Sequence, residues 1–191
     1  KYGITILPLT ALLNNTTYVD NETVTRKEFI ELMSNTKEFP KTTQPTLGTV
    51  LEKYNELTKD NTEVLAIHLT KELSGTFSTS LQATTMLEDT NNKAVSVDSK
   101  FVARALAFQV LKACECAEKG MTIEETLPIL EEVKANTILY ISLSNLDNLI
   151  KGGRISHIKG SITKLLNIKV NLKLIEGKLD IDYKGRGNKS I

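Results

Sequence analysis

The sequence predicts an α/β protein with two domains: a parallel-sheet α/β/α domain and a smaller α/β domain with a mixed sheet. Strand and helix patterns alternate before residue 140, which is typical of parallel βαβ units. After residue 165, two strand patterns flank Glu176-Gly177, a hairpin signal that indicates antiparallel pairing. We therefore expect one domain over residues 1–145 and the start of a second domain over residues 146–191.

Length and composition are compatible with this division. The chain has 191 residues, of which 40% are hydrophobic, enough to bury a core in one or two domains. It begins at Lys1, directly before a strand pattern, and ends just after the basic turn KGRGNK. Both ends resemble cuts inside a larger fold, so we expect the chain to be incomplete at both ends.

Apolar periodicity and capping signals predict the elements of the first domain. Thr25 and Glu28, and likewise Thr122 and Glu125, have the spacing of a capping box at a helix start. Ser74 is of a type favoured at helix N-caps. The expected order is a strand over 4–9, an irregular polar stretch to 21, a helix from 25 to about 34, an extended or turn segment over 41–46, a helix over 47–57, a strand over 64–69, a helix from 74 to about 88, a strand over 94–97, helices over 102–119 and from 122 to about 135, and a strand over 137–143.

The pattern changes in the second domain. Residues 146–150 favour a short helix, and a basic, glycine-containing turn follows over residues 151–154. We expect a helix over 158–166 and then the two hairpin strands, over 169–175 and 178–183.

Charge is distributed unevenly along the chain. Residues 1–150 carry 14 Lys and Arg against 20 Asp and Glu, a balance of −6, whereas residues 151–191 carry 10 against 3, a balance of +7. A basic segment on an otherwise acidic chain indicates an acidic partner or an anionic ligand. The segment has one aromatic residue, Tyr183, on which a base could stack, so we expect no nucleic-acid partner.

Several classes of site are not indicated by the sequence. It contains no P-loop, no GxGxxG after a strand, no HExxH and no CxxC. Cys114 and Cys116 are two residues apart on a predicted helix, where side chains diverge, so we expect neither a metal pair nor a disulfide. No apolar run approaches the ~18 residues that a membrane span requires. We expect a cytoplasmic protein without stable membrane insertion, metal or cofactor.

The most informative segment runs from residue 64 to residue 83. An apolar strand ends in a short polar turn, after which Ser74-Gly75-Thr76 opens a helix. The first turn of a helix has N–H groups without partners and the positive end of the helix dipole. Together with the hydroxyls of Ser74 and Thr76, these groups favour a carboxylate or a phosphate. Gly75 has no Cβ, so an anion could approach the backbone closely.

Four other polar residues each have two interpretations. His68 lies in a strand pattern, either as a packed structural histidine or as a polar group beside a ligand near the strand end. Ser99 follows a strand, where it either caps a helix or faces a ligand at the carboxyl edge of a parallel sheet. Thr42 and Thr43 lie before a helix, either as solvated turn residues or as ligand-binding hydroxyls.

Five motifs, in this order along nearly the whole chain, resemble those of the DegV family of bacterial fatty-acid-binding proteins. They are TTQPT at 42–46, LSGTF at 73–77, VDS at 97–99, LDNLIKGGRI at 146–155 and KGRG at 184–187. They are similar to the family's TSQP[ST], LSGTY, DS after a strand, GGRI segment and basic RG turn. LSGT together with GGRI is the most specific pair. Family members also have a further strand before, and further elements after, the part that this sequence covers.

The resemblance implies a protein that holds one long-chain fatty acid in a narrow apolar tunnel between two domains. It assigns the family's carboxylate-binding hydroxyls to Thr42 and Ser74, with Thr43, Gly75 and Thr76 beside them. It also implies a partner, a separate fatty-acid kinase that makes an acyl phosphate for phospholipid synthesis. We therefore expect this chain to be a non-catalytic lipid-binding subunit, with the fatty acid as its ligand and no cofactor.

Two further points follow from the resemblance. Arg154 and Arg186 are candidates for neutralising phosphate charge or docking the kinase, and the alternative is that both are solvated turn arginines. The fold also resembles that of dihydroxyacetone kinase, so a small-molecule phosphotransfer enzyme is the alternative function. Such an enzyme needs a histidine that binds its substrate covalently, and His68 is the strand-borne candidate.

Overall fold

The computed structural model describes residues 2–87, 93–159 and 169–185. The strands in this part of the chain are β1 Thr10–Leu13, β2 Thr16–Val19, β3 Lys41–Thr43, β4 Val64–His68, β5 Ala94–Asp98, β6 Leu139–Leu143, β7 Ile158–Lys159, β8 Lys169–Ile175 and β9 Lys178–Gly185. The helices are α1 Arg26–Ser34, α2 Leu47–Thr58, α3 Thr76–Thr84, α4 Ala103–Glu118, α5 Ile123–Ala135 and α6 Asp147–Lys151, with a 3₁₀ helix over Arg154–His157.

The strands form a mixed α/β fold with three sheets. An antiparallel sheet has the order β2-β1-β3, and β4 and β5 form a parallel pair. The third sheet has the order β6-β8-β9-β7, in which β7 and β9 are parallel and the other pairs are antiparallel. The predicted α/β class is therefore confirmed, with both a parallel unit and a mixed sheet.

The first twenty residues differ from the prediction. The expected strand over 4–9 is wrong, because the first strand begins at Thr10. The expected irregular stretch contains instead the hairpin of β1 and β2. Its turn residues Asn14 and Asn15 both have positive φ, 52° and 57°, as a two-residue type I′ turn requires. Asparagine tolerates this conformation better than most residues do, so the Asn-Asn pair was the signal for this turn.

Helix starts follow the capping signals closely, except at α3. Thr25 and Thr122 begin α1 and α5 with complete capping boxes, as predicted. The N-cap of α3 is Gly75 rather than Ser74. Ser74 precedes the N-cap by one residue, and its hydroxyl accepts a hydrogen bond from the Thr76 N–H at 3.3 Å. Helix α3 also ends at Thr84, earlier than predicted.

The second half contains the predicted short helix and hairpin. Helix α6 lies one residue later than predicted, and the turn of β8 and β9 has Glu176 and Gly177 at φ values of 52° and 80°. Residues 158–159 form β7 instead of starting a helix, and the rest of the helix predicted over 158–166 lies outside the described residues. Strand β6 pairs with β8, across the predicted boundary near residue 145, so the division into 1–145 and 146–191 stays a prediction.

Two clusters of buried apolar side chains form the core. One contains Val50, Tyr54 and Ala83, from α2 and α3, with Leu7 and residues of β4 packed against it. The other joins the start of α4 to the third sheet, and its buried members are Phe101, Ala105, Leu146, Val170, Leu172, Leu174 and Leu179. The loop that connects β4 to α3 contributes Leu73 to this second cluster, which brings the predicted anion site beside the third sheet.

Candidate functional site

The threonine loop, defined here as residues 41–46, lies at the edge of the first sheet. Thr42 and Thr43 are exposed on β3, where their Cα partners on β1 are Ala11 and Thr10. The Thr43 hydroxyl is hydrogen-bonded to that of Thr10. Pro45 is buried, and Thr46 is the N-cap of α2. The loop is therefore held at both ends, while the side chains of Thr42 and Thr43 are exposed.

The β4–α3 loop, residues 69–75, leads from β4 to the first turn of α3. The hydroxyls of Ser74 and Thr76 are 2.9 Å apart, so the two side chains that were predicted to bind an anion lie together. Ser74 is half-buried, whereas Thr76 is buried. The start of α3 adds backbone N–H groups and the positive end of the helix dipole, which makes this corner suitable for an anion.

Gln44 connects the threonine loop to the start of α3. Its Nε2 donates a hydrogen bond to Oγ1 of Thr79 at 2.6 Å. Its Oε1 lies so close to Gly75 that a Cβ at that position would be only 1.9 Å away. The expectation that the missing Cβ of Gly75 leaves room for an anion therefore needs correction, because the Gln44 amide occupies that space.

The β4–α3 loop is held from two further sides. The fully buried Thr70 donates from Oγ1 to the carbonyl oxygen of Gly177 at 3.0 Å, at the tip of the β8–β9 hairpin. Arg154 donates from Nε to the carbonyl oxygen of Leu73 at 3.1 Å and from Nη1 to that of Gly152 at 2.7 Å. The Arg154 side chain is thus partly buried beside the β4–α3 loop, whereas Arg186 lies outside the described residues.

His68 belongs to a buried polar cluster below this loop. Its Nε2 lies 2.6 Å from the Ser80 hydroxyl and 3.3 Å from that of Tyr54, and Ser96 completes the cluster at 2.6 Å from Ser80. Burial disfavours the imidazolium and lowers the pKa of His68 from 6.5 to about 4, against the opposing charge of Asp98. With 7% of its surface exposed, His68 fits a packed structural histidine better than a residue that binds a substrate covalently.

Ser99 is fully buried in the turn after β5. Its hydroxyl donates to the carbonyl oxygen of Phe101 at 3.1 Å and accepts the Phe101 N–H at 3.1 Å. The N-cap of α4 is Val102, so Ser99 closes a turn and does not cap the helix. Its N–H donates to the His68 carbonyl at 3.0 Å, which joins this turn to the end of β4.

An apolar groove of about 650 Å³ is bordered by β4, by residues 3–7 and Leu9, and by α4 and the start of α5. His68 and Thr76 line it, but Thr42, Thr43, Ser74 and Gly75 do not. The groove therefore reaches Thr76 at the start of α3 but none of the other residues predicted to bind the carboxylate.

The described residues offer neither a metal site nor a membrane-spanning helix. In residues 2–87, 93–159 and 169–185, no group of three or more His, Cys, Asp and Glu side chains is arranged to hold a metal ion. Within the same ranges, every helix is too short or too polar to cross a bilayer.

A sequence model described as "Uncharacterised protein, DegV family" matches residues 1–191. The chain belongs to the DegV family. The DegV domain-containing protein lin1977 of Listeria innocua is 41% identical over 192 aligned positions, which cover 100% of this chain and 68% of that protein. The chain thus spans about two thirds of the length of its relatives.

Solved DegV structures have the same fold. The crystal structure of DegV from Bacillus subtilis, described as a fatty acid binding protein, has a TM-score of 0.89 and 32% identity and covers 98% of this chain and 66% of its own. A DegV family protein from Thermus thermophilus, described by its fatty acid binding, has a TM-score of 0.84 and 28% identity over the same shares, 98% and 66%.

The structure adds residues that sequence reasoning did not single out. Gln44 was noted only as part of the TTQPT motif, although its side chain forms the contact between the two predicted binding segments. Gly177 was indicated only as part of a hairpin turn, and Thr70 and Thr79 belong to none of the motifs. Their partners are between 35 and 107 residues away in the sequence, so no local pattern could have indicated these contacts.

Proposed function

We propose that this DegV protein binds one long-chain fatty acid and presents its carboxylate to a separate fatty-acid kinase. The observation that carries the proposal is the contact of Gln44 with Gly75 and Thr79, which joins the threonine loop to the start of α3. The carboxylate would accept hydrogen bonds from Thr42 and Ser74, with Thr43, Thr76 and the first N–H groups of α3 nearby. Two solved relatives described as binding fatty acids support this ligand class.

The energetics fit a ligand with one charged end and a long apolar tail. A carboxylate removed from water needs several hydrogen bonds, because an unpaired charge in an apolar site is very unfavourable. Each buried methylene contributes about 0.8 kcal/mol, so a 16-carbon tail could supply on the order of 10 kcal/mol before ordering costs are subtracted. We propose that the tail lies between the two predicted domains, 1–145 and 146–191.

The first experiment is mass spectrometry of an organic extract from purified, denatured protein, quantified against protein. A fatty acid near one equivalent would support the proposal and identify the acyl chain. Absence of lipid from folded protein that also fails to bind added oleate would overturn it.

The double variant Thr42→Ala, Ser74→Ala tests which hydroxyls hold the carboxylate. Hydrogen bonds to a charged group contribute about 1.5–3 kcal/mol each, so the loss of two should lower oleate affinity by roughly a hundredfold or more. The control Thr17→Ala, Thr85→Ala removes two threonine hydroxyls at exposed positions and should bind as the unaltered chain does. Unchanged affinity in the Thr42, Ser74 variant would show that the carboxylate lies elsewhere.

We propose that Arg154 and Arg186 neutralise phosphate charge or dock the kinase when the fatty acid is presented to it. Arg154 lies beside the β4–α3 loop through its bond to Leu73, close to where an acyl phosphate would form. We expect Arg154→Glu to retain bound lipid but to lose phosphorylation by the kinase, measured with lipid-loaded protein, because reversed charge repels phosphate. Normal phosphorylation would contradict docking of the kinase through Arg154. Loss of the bound lipid would mean that Arg154 instead holds the β4–α3 loop in place.

A further inference from the structure

We infer that Gln44 is a positioning residue, which fixes the threonine loop against the first turn of α3 so that the hydroxyls of both segments meet one carboxylate. The inference rests on the proposed function and deepens it by assigning the geometry of the site to the Gln44–Thr79 hydrogen bond. It starts from the Gln44 amide, which contacts the N-cap residue Gly75 and donates a hydrogen bond to Thr79 of α3.

The backbone at Gln44 has little freedom. It directly follows Thr43, which pairs with β1, and it precedes the buried Pro45. A residue before proline is restricted to extended conformations, so the direction in which the side chain of Gln44 leaves the backbone is set by its neighbours. That side chain crosses from the edge of the first sheet to α3.

Gly75 and Thr79 provide the space and the hydrogen-bond acceptor that the Gln44 amide requires. Gly75 and Thr79 are four residues apart and therefore lie on one face of the helix. Gly75 leaves the space in which Oε1 lies, since a Cβ there would be 1.9 Å from it. Thr79 is only 9% exposed, so its hydroxyl has little water to replace the 2.6 Å hydrogen bond from Nε2.

The Gln44–Thr79 bond sets the distance between the hydroxyls of the threonine loop and those at the start of α3. A carboxylate is held well only when donors from both segments reach it together, and their positions depend on the groups that support them. Gln44 is one residue from Thr43, and Gly75 is one residue from both Ser74 and Thr76. Loss of the Gln44–Thr79 bond would let these hydroxyl groups separate without removing any of them.

A set of Thr79 and Gln44 variants of this chain tests the inference with oleate as the probe. We expect Thr79→Val and Gln44→Ala each to weaken oleate binding about three- to tenfold, as for one lost hydrogen bond. Thr79→Ser, which keeps the hydroxyl, should restore affinity to within about twofold. The double variant should be no weaker than either single variant, because both remove the same interaction. Thr84→Val, in the same helix with its hydroxyl bonded only to Leu81 among the described residues, is the matched control and should bind normally.

Methyl oleate separates positioning of the carboxylate from general damage. It has the same tail without the charge, so its affinity should be equal in the unaltered chain and in Thr79→Val. The inference is overturned if Thr79→Val binds oleate normally, if the losses in the double variant add, or if methyl oleate weakens by the same factor. Failure of the unaltered chain to bind oleate would instead refute the proposed function, and the inference with it.

Gln44→Glu gives a second readout that does not depend on the stability of the Thr79 variants. The introduced carboxyl has nearly the same shape as the amide but would lie as an anion beside the ligand carboxylate. We expect the affinity relative to the unaltered chain to be lowest at about pH 8 and to recover toward about pH 5, as the introduced group takes up a proton. A ratio that does not change with pH would contradict a location beside the carboxylate.

Discussion

At the residue scale, His68 shows how burial changes the chemistry of a side chain. Its imidazole is 7% exposed and bonded to Ser80, and burial lowers its pKa to about 4. Above pH 6.5 the histidine is neutral in the folded and the unfolded chain, so it contributes no pH dependence there. Below pH 6.5 the unfolded chain takes up a proton that the folded chain does not, and stability falls until pH reaches about 4.

Replacing His68 should flatten this part of the stability profile. The shift from 6.5 to about 4 corresponds to a loss of about 3 kcal/mol on acidification. We expect His68→Gln to be less stable at neutral pH, because the polar cluster is disturbed, but to lose less stability than the unaltered chain between pH 6.5 and about pH 4. Urea unfolding at a series of pH values measures both profiles. Parallel profiles would contradict a neutral, buried His68.

At the element scale, the β8–β9 hairpin supports the loop that begins the candidate site. Gly177 has a φ of 80°, and a Cβ there would lie 2.5 Å from Thr70 Oγ1, which donates to the Gly177 carbonyl. Lys100 with Glu176 and Lys178 with Glu72 form exposed ion pairs beside this contact, and such pairs contribute little. The close approach of the hairpin to Thr70 therefore depends mainly on the absence of a side chain at Gly177.

Comparison of two glycine variants isolates that contact. Gly120 also has a positive φ, 72°, but a Cβ there would meet nothing within 4 Å. Gly120→Ala should cost about 1–2 kcal/mol from backbone strain alone, and Gly177→Ala should cost about 1–3 kcal/mol more from overpacking. Urea unfolding of both variants gives the difference. Equal losses would mean that the hairpin tip moves away from Thr70 freely.

The same elements show what the sequence can predict and why the rest escapes it. The capping boxes at Thr25 and Thr122 and the hairpin turn at Glu176-Gly177 are local signals, and all three were predicted correctly. The strand expected over residues 4–9 failed because an apolar run indicates burial but not pairing: Leu7 packs against the first core cluster, yet these residues join no sheet in the described part of the chain.

In the candidate site, too, local motifs indicated some residues, whereas contacts between distant segments could not be predicted. The motifs indicated Thr42 and Ser74 as binding residues, a prediction that the double variant tests. The Gln44–Thr79 bond and the Thr70–Gly177 bond join positions 35 and 107 residues apart, and only the folded chain brings them together. The sequence also predicted that an anion could approach Gly75 closely. The Gln44 amide lies there instead, and no local pattern could indicate this, because Gln44 belongs to a distant segment.

At the scale of the whole molecule, the second core cluster joins the two predicted domains. Phe101 and Ala105 lie before residue 145, whereas Leu172 lies after it, and all three are buried in one cluster. Leu73 packs against the same cluster from the β4–α3 loop. Strand β6, before residue 145, also pairs with β8, after it. Because these contacts cross the predicted boundary and the buried side chains exclude water from one another, we expect the two parts to unfold together.

Leu172→Ala tests this coupling and the predicted division near residue 145. Leu172 is 1% exposed, so the cavity left by its side chain should cost about 2–5 kcal/mol. Hydrogen exchange should then show an equal loss of protection for amides of β4 and of β8, because both exchange through one cooperative opening. Leu111→Ala, a matched change at a 45% exposed position on α4, should alter neither. If β8 loses protection while β4 keeps it, the parts on either side of residue 145 are separate folding units, and the candidate site does not depend on the hairpin for its stability.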